Sequence, residues 1–112
     1  MADQPVAVKI VSPTDVLSLQ QSCPDVLIID VRNVDEWDRY HISEAMLIPM
    51  NSLTSRLSEL DPDRETIVVC EHGIRSLSVA KFLVSQAKFS NVGSMSGGMS
   101  QWPGPVVSEM ES

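Results

Sequence analysis

Cys70 stands where the sequence changes from one secondary-structure pattern to another. The three residues before it, 67–69, are all apolar and β-branched, which is typical of a strand buried on both faces of a parallel sheet. From Leu77 onward, apolar residues recur at helical spacing. The sequence therefore predicts a strand, a tight loop and a helix. Cys70 would lie at the carboxyl end of the strand, where open α/β sheets place their ligand sites.

The loop after Cys70 contains residue types that can activate a thiol. Backbone N–H groups at the start of a helix would point at the sulfur, and the helix dipole adds roughly half a positive charge there. Such surroundings lower the pKa of a thiol, about 8.5 when free, and the thiolate is the nucleophile. Gly73 permits the turn, and Arg75 offers a planar fork suited to oxyanions. We predict that Cys70 is a nucleophile and that Arg75 binds an anion or braces the loop.

The two residues next to Cys70 allow more than one interpretation. His72 could act as a general base or contact a substrate, but in a tight loop so close to the cysteine its ring is expected to point outward. A carboxylate beside the nucleophile would raise the pKa of the thiol. We therefore expect Glu71 to face solvent or a partner.

Length, composition and charge narrow the possible functions. The 112 residues are enough for one domain, and 43% hydrophobic with 21% charged residues is ordinary for a folded protein. A net charge of −7 argues against binding to nucleic acid or to anionic membranes. The sequence has no apolar run long enough for a membrane span and no signal peptide pattern at its start, so we expect a cytoplasmic protein. A monomer is expected.

The two cysteines and two histidines are far apart in the sequence and show no metal-ligand spacing. We therefore expect no metal, and nothing indicates another cofactor. Cys23 is expected to be a partly buried free thiol, because a reducing compartment disfavours a disulfide with Cys70.

Apolar runs alternate with helical patterns, which predicts a parallel sheet covered by helices on both faces. Besides residues 67–69, strands are predicted at 6–11, 26–29, 45–48 and 91–95. Further helices are predicted from Ser12 to the residue before Cys23, from Asn33 to about Tyr40, and along the face formed by Leu53, Leu57 and Leu60.

Two of these helices begin with capping signals. Ser12 can cap the first helix, with Pro13 in the first helical position and Asp15 as the reciprocal carboxylate. Asn33, with Glu36 three residues later, marks the start of the second helix.

Four motifs in order give the chain a family resemblance. The loop Cys-Glu-His-Gly-Ile-Arg-Ser at 70–76 resembles the active-site loop of the rhodanese sulfurtransferases, in which a cysteine opens a six-residue loop. Further resemblances to that family extend over residues 8–104. They are Asp30-Val31-Arg32, then Glu36-Trp37 with His41-Ile42, Ala45 and Ile48-Pro49, and finally Gly97-Gly98 with Trp102.

The resemblance implies a rhodanese-like three-layer α/β/α fold with a central, mostly parallel five-stranded sheet. It implies one rhodanese domain over residues 6–105, which leaves 1–5 and 106–112 as flexible termini. It also implies ping-pong transfer of a sulfane sulfur through a Cys70 persulfide, from thiosulfate or a persulfide donor to a thiophilic acceptor such as a protein or small thiol. Asp30 and Arg32 would brace the loop. The substrate would be bound by Glu71, His72, Gly73, Ile74, Arg75 and Ser76.

Two other functions compete with sulfur transfer. Cysteine phosphatases and arsenate reductases use a similar loop, but they place five residues between the cysteine and the arginine, whereas residues 71–74 make four here. The shorter loop fits a sulfur atom better than a tetrahedral phosphate. Other rhodanese-like modules are non-catalytic binding or regulatory domains, and those often lack the cysteine.

One motif departs from the family pattern. Where the family often has Gly-His-Ile-Pro-Gly-Ala, this chain has Tyr40 and Glu44 in place of the two glycines. The turn near residue 44 must therefore be made without a glycine.

Overall fold

The fold was obtained as a computed structural model that describes residues 8–109, and residues 1–7 and 110–112 lie outside the described part. Short 3-10 helices occupy Met50–Ser52, Thr54–Glu59 and Gly98–Gln101. The α-helices are α1 (Pro13–Ser22), α2 (Val34–Arg39) and α3 (Ile74–Ser85). The strands are β1 (Lys9–Val11), β2 (Leu27–Asp30), β3 (His41–Ile42), β4 (Met46–Leu47), β5 (Thr66–Val69), β6 (Val92–Met95) and β7 (Val106–Val107).

The main sheet has five strands in the order β1-β6-β5-β2-β4, and every pairing in it is parallel. This confirms the predicted α/β class and the central five-stranded sheet. The strand that precedes Cys70, β5, is the middle strand and pairs with β2 on one side and β6 on the other. The predicted strand at 91–95 is confirmed as β6, and the first predicted strand lies at a sheet edge as β1, while positions 6 and 7 lie outside the described residues.

Alternating residues of the central strands feed two separate cores. Ile67 and Val69 pack with Val16 of α1 on one face of the sheet. Val68 points the other way and packs with Val79 and Leu83 of α3. All six side chains are buried, and burial of each is worth roughly 1.5–3 kcal/mol. The two cores hold β5 rigidly between helical layers, so the position of its carboxyl end is well defined.

The capping signal of α2 has the predicted effect, and at α1 the Ser12 half of the predicted cap is present. The Ser12 hydroxyl accepts a hydrogen bond from the Asp15 N–H at 3.1 Å. At the start of α2, Asn33 Oδ1 accepts from the Glu36 N–H at 3.0 Å, and Glu36 Oε1 accepts from the Asn33 N–H at 3.1 Å. This reciprocal pair is a complete capping box, and it fixes where the Glu36 carboxylate lies.

Two helical predictions need correction in detail. The face formed by Leu53, Leu57 and Leu60 does not belong to an α-helix, because the segment consists of consecutive 3-10 turns in which Leu53 and Leu60 are buried. Short 3-10 turns suit such connecting segments. In α3 the buried face is offset from the predicted one, since Ser76 and Val79 are buried whereas Leu77 is only half-buried.

The end of the chain is ordered where it is described. β7 pairs antiparallel with β3, and the Glu109 N–H donates to the Asp38 carbonyl at 2.9 Å. Residues 106–109 of the segment expected to be flexible therefore make backbone contacts, while positions 1–5 and 110–112 lie outside the described residues. The domain limits of 6–105 stay a prediction. Within residues 8–109, none of the helices has the length and apolar character needed to cross a bilayer.

The turn near residue 44 is made by a glutamate in a left-handed conformation. Glu44 has φ 71°, and the Ala45 N–H closes the turn by donating to the Ile42 carbonyl at 3.1 Å. A side chain in this region costs about 1–2 kcal/mol relative to ordinary helical or extended backbone. The turn that the family often makes with a glycine is thus made here by a glutamate.

Replacing Glu44 by glycine should stabilise the protein. We expect Glu44→Gly to raise the free energy of unfolding by about 0.5–1 kcal/mol, because relief of the left-handed strain exceeds the entropic cost of glycine. Urea unfolding followed by circular dichroism measures the change. Glu44→Ala is the matched control, since it removes the side chain but keeps the strain, and an equal gain from alanine would contradict the explanation.

Candidate active site

Cys70 lies directly after β5 at the carboxyl end of the middle strand of the sheet. Its exposed fraction is only 1%, and it forms part of the core beneath α3. The chain then turns through 71–73 and enters α3 at Ile74. The predicted order of strand, tight loop and helix is therefore confirmed, and the helix begins three residues before the apolar pattern that indicated it.

The sulfur of Cys70 accepts hydrogen bonds from the loop backbone. The Gly73 N–H donates to Sγ at 3.1 Å, and the Ser76 N–H donates at 3.2 Å. Gly73 makes this possible with φ 92°, and a Cβ built on it would lie 3.0 Å from the backbone nitrogen of Gly97. The N-terminus of α3 thus wraps around the sulfur, as expected from the sequence.

These contacts determine the protonation of the thiol. Burial by itself raises the pKa of Cys70, because the interior disfavours the thiolate. Hydrogen bonds from the Ser76 hydroxyl and N–H, and from the Gly73 and His72 N–H groups, outweigh burial, so the net pKa lies below its ordinary value. The site therefore favours the nucleophilic form.

Asp30 and Arg32 form a buried ion pair next to the loop. Arg32 has no exposed surface, and its Nε and Nη2 donate to the Asp30 carboxylate at 3.0 and 2.8 Å. Nη2 also donates to the Tyr40 carbonyl at 2.7 Å. Burial alone would lower the pKa of Arg32, but Asp30 and Glu71 raise it above its usual value. The guanidinium stays charged in the interior.

Glu71 joins this ion pair, and the expectation that it faces solvent or a partner was wrong. Its Oε1 accepts from Nη1 of Arg32 at 3.2 Å, and its Oε2 accepts from the Tyr40 hydroxyl at 3.3 Å. Burial and the nearby Glu71 carboxylate raise the pKa of Tyr40. The residue after Cys70 is thus held against Arg32 and the end of α2.

Arg75 is paired with Glu36 from α2. Nη1 and Nη2 of Arg75 donate to Oε1 and Oε2 of Glu36 at 3.0 and 2.9 Å. The hydrogen bond from Arg75 lowers the pKa of Glu36, and Glu36 in turn raises the pKa of Arg75. This two-point pair joins the first turn of α3 to the first turn of α2.

The glycine pair at 97 and 98 secures the loop from the other side. The Met99 N–H donates to the Cys70 carbonyl at 2.8 Å, and the Ser100 N–H donates to the Glu71 carbonyl at 3.0 Å. A Cβ on Gly98 would lie 2.3 Å from the Glu71 carbonyl oxygen. Only a glycine therefore allows the two backbone segments to approach this closely.

Comparison with known proteins gives the same assignment as the geometry. The model of the rhodanese-like domain family matches residues 12–104. The chain belongs to the rhodanese family. It is similar to the thiosulfate sulfurtransferase GlpE of Coxiella burnetii, with 38% identity over 70% of this chain and 72% of that protein. The GlpE of Pseudomonas entomophila is 35% identical over 84% of both chains.

Solved rhodanese structures share the fold. A rhodanese-like domain protein from Staphylococcus aureus superimposes with a TM-score of 0.82 at 25% identity, covering 92% of this chain and 100% of that one. Together with the sequence relatives, this confirms the resemblance, the fold class and an enzyme of the sulfurtransferase type.

The rhodanese loop brings most of the predicted site residues together. Gly73 and Ser76 contact the sulfur, while the side chains of His72 and Ile74 are exposed at the rim. The outward orientation of His72 is as expected. The roles of residues 71–76 in binding a substrate, and of Asp30 and Arg32 in bracing, stay predictions. Within residues 8–109, no group of His, Cys, Asp and Glu is arranged to hold a metal ion.

Three contributors to the site were not identified as such from the sequence. Glu36 was assigned only to a cap and a motif, yet it neutralises Arg75. Ser94 in β6 hydrogen-bonds the Ser76 hydroxyl at 2.8 Å beneath the loop. Tyr40 contacts both Arg32 and Glu71. The capping box could have indicated Glu36, because it fixes the Glu36 carboxylate at the start of α2. No local sequence pattern indicated Ser94 or Tyr40.

Alanine at Gly98 should be much more damaging than alanine at Gly97. Both glycines have positive φ, but the Cβ at Gly98 meets backbone whereas that at Gly97 meets only the flexible side chain of Gln101. We expect losses of about 3 kcal/mol for Gly98→Ala and about 1–2 kcal/mol for Gly97→Ala. Urea unfolding gives both values, and similar losses would show that the close approach at Gly98 is unimportant.

Removal of the Ser76 hydroxyl should raise the pKa of Cys70. The hydroxyl favours the thiolate, so Ser76→Ala should leave less thiolate at neutral pH. The pKa is measured from the thiolate absorbance as a function of pH. The parent and the variant both carry Cys23→Ser, so that only Cys70 contributes. Ser78→Ala, on the exposed face of the same helix, is the control and should not change the midpoint. A midpoint for Ser76→Ala at or below that of the parent would contradict the assignment.

Proposed function

We propose that this rhodanese is a sulfurtransferase that moves a sulfane sulfur from thiosulfate or a persulfide donor to a thiophilic acceptor through a persulfide on Cys70. The observation that carries the proposal is the pair of N–H groups, from Gly73 and Ser76, that point at the Cys70 sulfur. They favour the thiolate before reaction. The same groups can hold a negative charge on a second sulfur after it.

Thiosulfate is proposed as a donor because of the relatives. The similar proteins of Coxiella burnetii and Pseudomonas entomophila are named thiosulfate sulfurtransferases, and they match most of this chain. A protein or small thiol is proposed as the physiological acceptor, and cyanide serves as the acceptor in an assay. A cytoplasmic location and a monomeric state are part of the same hypothesis.

In the first half-reaction, the Cys70 thiolate attacks the outer sulfur of thiosulfate. A bond forms between the two sulfur atoms, the sulfur–sulfur bond of thiosulfate breaks, and sulfite leaves with the bonding electrons. Cys70 then carries a persulfide anion. Its terminal sulfur would be stabilised by the N–H groups at the start of α3, which act on sulfur as an oxyanion hole acts on oxygen.

In the second half-reaction, the acceptor attacks the terminal sulfur of the persulfide. With cyanide, a carbon–sulfur bond forms, the persulfide bond breaks, and thiocyanate leaves. The electrons of the broken bond return to Cys70, which regains its thiolate. The low pKa of Cys70 assists this step too, because a stabilised thiolate is a better leaving group.

A cleft beside the loop offers a place for the rest of the donor. It has a volume of about 190 Å³ and is lined by Arg75, Asn33 and Met50 among others. The sulfonate of thiosulfate would occupy this cleft, with Arg75 as its cationic partner. Asp30 and Arg32 would contribute by keeping the loop in place, without contact with the donor.

The cysteine phosphatase and binding-module alternatives have less support. The loop places four residues between Cys70 and Arg75, one fewer than the cysteine phosphatases use. A binding module has no use for a cysteine whose pKa is lowered. Turnover of an aryl phosphate by this protein would reverse the first judgement.

Sulfur loading should depend on Cys70 and not on Cys23. We expect the intact mass to increase by one sulfur atom after incubation with thiosulfate, and cyanide to remove that atom with release of thiocyanate. Cys70→Ser should abolish the gain. Cys23→Ser, which changes a half-buried free thiol distant from the loop, should load as the parent does.

The same experiment separates the alternatives. A gain with a persulfide donor but none with thiosulfate would retain the Cys70 persulfide and exclude thiosulfate as the donor. Loading of the Cys70→Ser variant would contradict the proposed function.

A further inference from the structure

We propose that Glu36 sets the donor specificity of this site by occupying the anion-binding face of Arg75, so that neutral or singly charged sulfur donors react in preference to the thiosulfate dianion. The inference deepens the proposed function and rests on it. Glu36 acts through Arg75 and is therefore a positioning residue, since it has no contact with the Cys70 sulfur.

The geometry of the pair leaves little for an anionic donor. Both terminal nitrogens of Arg75 are bonded to the two carboxylate oxygens of Glu36, at 3.0 and 2.9 Å. This two-point arrangement is the same one that an arginine would offer to a sulfonate. A sulfonate therefore has to displace Glu36 before it can form the same two-point pair with Arg75.

Glu36 is also held in place from its own helix. Its Oε1 accepts from the Asn33 N–H at 3.1 Å, which is half of the capping box of α2. The carboxylate is thus pre-positioned toward Arg75, and a rotation that frees the arginine would also break the cap. Because Arg75 lowers the pKa of Glu36, the carboxylate remains charged at neutral pH.

The second arginine near the loop does not compensate. Arg32 has no exposed surface and is bonded to Asp30, Glu71 and the Tyr40 carbonyl. The two arginines thus face three carboxylates, which leaves an excess of negative charge before the thiolate is counted. The net charge of −7 on the whole chain adds long-range repulsion of a dianion.

A donor with less charge avoids this conflict. A small or protein persulfide, R–S–SH, brings no sulfonate that requires Arg75. The Cys70 thiolate would attack its outer sulfur, the donor's sulfur–sulfur bond would break, and the thiolate R–S⁻ would leave while the persulfide proton stays on the transferred sulfur. No external oxidant or reductant is needed, since one persulfide is exchanged for another.

The test compares two donors that differ by one charge. Thiosulfate is a dianion, and methanethiosulfonate carries the same outer sulfur with a single charge and releases methanesulfinate. Glu36→Gln removes the carboxylate charge but keeps an oxygen that can accept from the Asn33 N–H, so α2 should stay capped. Glu59→Gln is the matched control, because Glu59 makes a similar two-point pair with Arg56 at 2.9 Å outside the active-site loop.

We expect Glu36→Gln to lower the KM for thiosulfate about fivefold with kcat unchanged, and to change the KM for methanethiosulfonate by less than about twofold. Glu59→Gln should change neither KM. In the presence of Arg75→Met, Glu36→Gln should no longer lower the KM for thiosulfate, because its effect requires the arginine.

Equal changes in KM for the two donors in Glu36→Gln would overturn the inference. So would a change in the KM for thiosulfate in Glu59→Gln as large as that in Glu36→Gln, since either result would indicate general charge repulsion. An unchanged KM for thiosulfate in Glu36→Gln would overturn it as well. In each of these cases Cys70 still loads sulfur, so the proposed function stands. Failure of both donors to load Cys70 in the parent protein would overturn the proposed function and the inference together.

Discussion

The buried ion pair between Asp30 and Arg32 connects the chain segments that meet at the site. An arginine without exposed surface is tolerated only when its charge is paired and its donors are used, because an unpaired buried charge costs several kcal/mol. Asp30 supplies the charge, and Tyr40 and Glu71 accept from the outer nitrogens. These partners come from β2, the end of α2 and the loop, so one guanidinium contacts all three segments.

The thiol is activated by dipoles instead of by free cations. Cys70 lies in an acidic chain, and both arginines near it are paired with carboxylates. What lowers its pKa is hydrogen bonding from Ser76, Gly73 and His72. Backbone N–H groups favour the thiolate only at short range. An unpaired lysine or arginine would also attract other anions over a long range. Activation of Cys70 therefore rests mainly on the loop and the start of α3.

The sequence predicted what depends on neighbouring residues and missed what depends on distant ones. The strand, loop and helix around Cys70 and the capping box of Asn33 and Glu36 involve residues only a few positions apart, so spacing indicates them. The pairs of Arg32 with Glu71 and of Arg75 with Glu36 each span 39 positions. No local pattern carries such a contact, so the pairing of Glu71 with Arg32 could not be predicted. Glu71 was expected to face solvent or a partner because a carboxylate beside the nucleophile would raise the pKa of the thiol. The 3-10 turns were missed because leucine spacing alone does not distinguish them from an α-helix.

The backbone of the loop is more constrained than the ion pairs at its rim. Carbonyls of Cys70 and Glu71 are bonded to N–H groups after Gly98, and N–H groups of Gly73 and Ser76 are bonded to the sulfur. These bonds hold the backbone at both ends of the loop. The pair of Arg75 and Glu36 is partly exposed, whereas Arg32 and Asp30 are fully buried. Exchange of the paired carboxylate for a donor anion therefore costs less free energy at Arg75 than at Arg32. Donor specificity can thus vary through the ion pair of Arg75, while the backbone of the loop keeps its geometry.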